Sequence, residues 1–156
     1  MKVWVLFVII VVLCWGAYVP TIHAGQTSIG NTNRMNSAMW AFLFVGLAYC
    51  LLGVAVPIAT LASKGAITEL PAMKGAQVSL LAGLLGAAGA LGVIFALNSG
   101  GTPLTVPPLV FAGAPIVATL ITMTMHPPKS APSWPFFVGI LLAATGAGLV
   151  LRFKPS

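Results

Sequence analysis

Glu69 is the single carboxylate side chain in 156 residues, and that scarcity limits the chemistry open to the chain. General acid–base catalysis and glycoside hydrolysis draw on positioned acidic groups, and one isolated glutamate between Lys64 and Lys74 supplies no pair. No Ser/His/Asp set, phosphate-cradling glycine loop or His/Cys cluster with metal-ligand spacing occurs in the sequence. Cys14 and Cys50 each stand in an apolar stretch, where a thiol reads as a small packing residue rather than half of a disulfide or a metal ligand. These residues point to a protein that is not an enzyme and carries no cofactor or metal.

The elements around them explain the missing charge. Only 5% of residues are charged and 59% are hydrophobic, too little polarity to solvate a globular surface and enough apolar length for about five membrane-spanning helices of about 20 residues each. The fold class is therefore all-α, a polytopic membrane helix bundle forming one transmembrane domain over 1–156. Hydropathy and breakers place the spans at about 3–20, 37–62, 75–97, 104–125 and 134–151. Trp15, Tyr18 and Pro20 mark the end of the first. A polar stretch over 21–36 reads as a loop, with a helix cap at Asn36 or Ser37. Asn98 to Pro103 and His126 to Pro132 are turns by composition, and Arg152 and Lys154 follow the last span. Short connections make neighbouring helices antiparallel.

Small residues should set how these helices pack. Gly83, Gly86, Gly89 and Gly92 recur every three residues, so they cover a broad face and let backbones approach closely. Gly139, Ala143 and Ala147, with Gly146 beside them, repeat the small-xxx-small pattern of tight helix crossings. The first face should meet more than one neighbour, and for the second, packing within the chain is the plainer reading and a homodimer seam the other. Pro107, Pro108 and Pro115 each remove a backbone donor, and Pro115 predicts a kink or break near Phe111 to Gly113. Such a defect either lines a cavity or merely improves packing.

Orientation rests on a weak bias. Lys2, Lys64, Lys74 and Lys129 fall on one side and Arg34, Arg152 and Lys154 on the other, which leans towards a cytoplasmic amino terminus and leaves dual topology open. A cleaved signal peptide is the rival reading of the first span, given Lys2, an apolar core and Ile22-His23-Ala24, although the apolar run is long enough to span. The net charge of +6 suits anionic lipid headgroups. The lysines are dispersed and lack an aromatic platform, so nucleic acid is not an expected partner.

Cys14-Trp15-Gly16-Ala17-Tyr18, Pro115-Ile116-Val117-Ala118-Thr119, and Gly139 with Gly146 together resemble one EamA-type repeat of the drug/metabolite transporter superfamily, in order and spacing over nearly the whole chain. The resemblance implies a five-helix half-unit of the bacterial cytoplasmic membrane that pairs with an inverted copy around a central substrate pathway. Trp15, Tyr18, Tyr49, Thr119 and Thr122 would supply that pathway's polar groups, with Gly113 and Pro115 shaping its wall. Each has a plainer role, since Thr in a span bonds its own helix and Trp and Tyr suit the interface. Gln77 sits close to the interface, and Asn98 reads as a helix-ending residue.

The chain departs from the family in two places. His126-Pro127-Pro128-Lys129 stands where a Gly-Glu step usually follows the fourth helix, and the first span lacks the embedded Glu of small multidrug exporters. Proton-coupled cation export needs such a carboxylate. The expected cargo is therefore a small neutral or anionic solute moved by a dimer, with His23 as the remaining titrating candidate, although a loop histidine is more often just solvated. The alternative is a non-catalytic accessory subunit of a larger membrane complex.

Overall fold

A computed structural model describes residues 2–30 and 32–153. Lys154, counted above in the charge bias, lies outside them. The chain is helical, with no strand among the described residues: α1 (Val3–Ser28), α2 (Arg34–Cys50), a π-helical turn (Leu51–Ala55), α3 (Val56–Ser63), α4 (Met73–Asn98), α5 (Val106–Met125) and α6 (Trp134–Arg152). Because α2, the π turn and α3 run on without a break, five helices are long and apolar enough to cross a membrane. The all-α membrane architecture expected from composition is thus the one observed.

The largest departure from the expected spans is in α1. Pro20 does not end it; the helix continues to Ser28, through a stretch read above as loop. Pro20 has no N–H to give the carbonyl one turn back, at Gly16, yet the helix runs through it. The preceding apolar turns have already nucleated the helix, and adding residues to an existing helix is far easier than starting one. Near its end the Thr27 hydroxyl donates to the carbonyl oxygens of His23 (3.2 Å) and Ala24 (2.9 Å). His23 is accordingly a helical residue and not a loop one.

The cap of α2 also falls earlier than expected. Asn33 Oδ1 accepts from the backbone N–H groups of Met35 (2.9 Å) and Asn36 (3.4 Å), satisfying two of the amides that a helix start leaves open. Further along, the π turn ends two residues before Pro57. A proline there cannot bond Gly53 one turn back, and widening the local hydrogen-bond pitch is a recognised way to absorb such a defect. The helix then ends at Gly65, whose φ of +68° is open to glycine and strained for other residues. Gly65 N–H donates to Ala62 O (3.1 Å) and Ala66 N–H to Leu61 O (2.9 Å), the paired closure of a Schellman motif.

The remaining boundaries shift by no more than two residues. α5 starts at Val106 after a turn in which Thr102 and Thr105 exchange hydrogen bonds. Pro107 and Pro108 then occupy its first turn, where their missing donors have no intrahelical partner to lose. Pro115 lies inside α5, which remains helical on both sides of it.

The chain forms two compact units. One comprises Met1–Val19 with Gly100–Ser156, and in it α5 packs on α6. The Trp15 ring lies 6.1 Å from Phe111 at an interplanar angle of 55°. The other comprises Pro20–Ser99, and in it α2 packs on α4. Its buried residues are Ile22 and Gln26 on α1, Ser37, Ala38 and Ala41 on α2, and Val93, Ile94 and Leu97 on α4. Small side chains on α2 thus face bulky aliphatic ones on α4, the size alternation that close helix packing needs.

Within each unit the glycine faces stand open. Gly83, Gly86, Gly89, Gly92, Gly139 and Gly146 are exposed, and a Cβ built on any of them would meet nothing within 4 Å. Ala143 is exposed and Ala147 half-buried. Within its own unit α4 packs through Val93, Ile94 and Leu97 at its carboxyl end. Cys14 and Cys50 are likewise exposed rather than packed.

Candidate functional site

The unit Pro20–Ser99 holds a cavity of about 210 Å³ where the end of α1, the start of α2 and the end of α4 meet. Gln26, Ser37 and Leu97 form its buried floor, His23 and Asn98 are half-buried, and Thr27, Gly30 and Arg34 stand at its exposed rim. The spacing on α1 creates one wall: His23, Gln26 and Thr27 are three and four residues apart and share a helix face. Arg34 and Ser37 are likewise one turn apart at the start of α2.

The lining is rich in hydrogen-bonding groups and holds no carboxylate. Gln26 is 9% exposed, and neither its Nε2 nor His23 Nδ1 has a hydrogen-bond partner. Arg34 brings the single full charge. Two helices end at the cavity and one begins there, so the partial charge of one C-terminal end is offset by the N-terminal end of α2, and the Arg34 charge exceeds that of the other.

The residues expected to line a pathway are divided between the two units. Trp15 is exposed and engages Phe111, Tyr18 is half-buried on α1, and on α5 Gly113 and Thr119 are half-buried while Pro115 and Thr122 are exposed. Tyr49 belongs to the other unit, where it is 56% exposed on α2. Gln77 is exposed. Several threonines behave as lone helix residues do, with Thr60, Thr124 and Thr145 donating to carbonyls of their own helices. Asn98 does end α4, as expected, and in addition lines the cavity.

Gln26, Ser37 and Arg34 were not singled out from the sequence as site residues. The signal was present in the His23-x-x-Gln26-Thr27 spacing, and it becomes visible only once 21–28 is read as helix. No protein-family model matches the chain, and neither curated proteins nor solved structures provide a match.

Proposed function

We propose that this integral membrane protein handles a small neutral or anionic solute and works in an assembly, as a half-unit of the drug/metabolite transporter kind in a bacterial cytoplasmic membrane. The observation that carries the reading is the polar cavity. In a chain with one acid and 59% hydrophobic residues, an imidazole, two carboxamides, two hydroxyls and a guanidinium converge on one space. Concave sites with a few convergent polar groups are where small molecules bind. At about 210 Å³ the space falls below the usual lower end of about 300 Å³ for such sites, which favours a solute of few heavy atoms.

The need for an assembly comes from the surface. Lipid tails cover apolar side chains readily, but open glycine faces are what neighbouring helices use for close approach. That same observation favours a second reading, an accessory subunit whose glycine faces are covered by a foreign partner.

Native mass after mild extraction, with all subunits identified, separates the two. A homodimer supports the transporter half-unit, a stable hetero-complex supports the accessory subunit, and a monomer that retains function in reconstituted vesicles refutes the need for either assembly.

A further inference from the structure

The cavity floor carries a donor that the fold itself does not use. Gln26 is more than nine-tenths buried, it lines the cavity, and its Nε2 is unpartnered. Leaving a buried polar group unsatisfied costs about 1–3 kcal/mol; the Nε2 atom is itself sealed off from the cavity, so an acceptor that enters reaches it when the amide turns about its terminal torsion. Ser37, 5% exposed on the same floor, adds a hydroxyl, and Arg34 at the rim adds a permanently cationic fork suited to two oxygens at once. No carboxylate lines the space to repel an anion or attract a cation.

We propose that this cavity binds a small oxyanion, a carboxylate or phosphate group, with Arg34 as its charged partner and the Gln26 amide as its buried donor. The proposal deepens the solute-handling reading by naming the chemical class. It is tested by binding alone, so that failure of transport and failure of the site are distinguishable. Both a free solute and the phosphate of a lipid headgroup present this chemistry.

The experiment uses the full chain in dodecyl maltoside, which carries no phosphate, and reads thermal unfolding by helicity. Inorganic phosphate and acetate are titrated in one arm and phosphatidylglycerol is added to the micelles in the other. A saturable rise in midpoint with phosphate or acetate identifies a free solute as the source, and a rise with the lipid alone identifies a headgroup. In either case Arg34→Gln and Gln26→Leu should weaken the apparent affinity at least tenfold. Arg34 is exposed, so its variant is expected to fold and keeps the test decisive if Gln26→Leu does not. No saturable shift in either arm, or a shift of equal affinity in Arg34→Gln, overturns the proposal.

Discussion

Gly86→Leu and Gly100→Leu give opposite signs if the glycine face of α4 is open in the single chain. Gly86 lies within α4 and a Cβ there meets nothing within 4 Å. Leucine therefore adds helix propensity without a clash, a gain of about 0.8 kcal/mol. Gly100 also has open space, but its φ is +102°, a conformation that costs a branched residue about 1–3 kcal/mol. The two variants should differ by about 2–4 kcal/mol, with Gly100→Leu the less stable. The assay is thermal unfolding followed by helicity, on a fraction shown to be monomeric by its native mass. A monomeric Gly86→Leu that melts below Gly100→Leu would refute the open face. On the assembled fraction the order of sensitivity reverses if α4 meets a second copy through this face: Gly86→Leu then shifts the native mass downward while Gly100→Leu leaves it unchanged.

The other expected outcomes follow from single positions. Gln26→Leu removes an unsatisfied buried donor, so without ligand it should raise stability by about 1 kcal/mol, measured by thermal unfolding in phosphate-free buffer. Ile94→Ala, at a side chain 0% exposed, should lower stability by about 2 kcal/mol through the cavity it leaves, whereas Leu84→Ala, 60% exposed, should stay within about 0.5 kcal/mol. Pro57→Ala restores a donor next to the π turn and should return Leu51–Ala55 to α-helical pitch. Slow hydrogen exchange at the new residue 57 amide would register that change, and rapid exchange would contradict it.

The five spans were legible because lipid imposes one simple condition, about 20 apolar residues per crossing, and the long runs meet it. The helix ends were less legible. Pro20 and Gly25 carry strong loop signals, about 3 kcal/mol for proline and about 1 kcal/mol for glycine, and here they were outweighed by continuation of an established helix and by burial of Ile22 and Gln26. The Asn33 cap was missed by three residues because asparagines stand at both 33 and 36, and sequence alone does not say which one turns its side chain back. The glycine repeats were legible as flat faces, yet a flat face does not say what lies against it. Within the chain the small residues that matter on α2 are Ser37 and Ala41, four apart, a less conspicuous instance of the same pattern.

The length of α1 suggests a depth for the cavity that labelling can test. Its 26 residues span about 39 Å, against about 30 Å of hydrocarbon. Such a surplus is taken up either by tilt or by standing in the headgroup layer. Composition favours the second: Val3 to Leu13 is wholly apolar, whereas His23, Gln26, Thr27 and Ser28 gather at the other end. The cavity built on His23, Gln26 and Thr27 would then sit at headgroup depth, where phosphates are abundant and Arg34 can reach water. Thr27→Cys tests this with the native thiols as internal controls, because Cys14 lies about 20 Å deeper along the same helix and is exposed only on the chain's own surface. In reconstituted vesicles opened to both sides, a charged, membrane-impermeant maleimide should modify residue 27 at least tenfold faster than Cys14 or Cys50. Equal rates at 27 and 14 would mean that α1 tilts its polar end into the bilayer, and would remove the headgroup as a source of the proposed oxyanion.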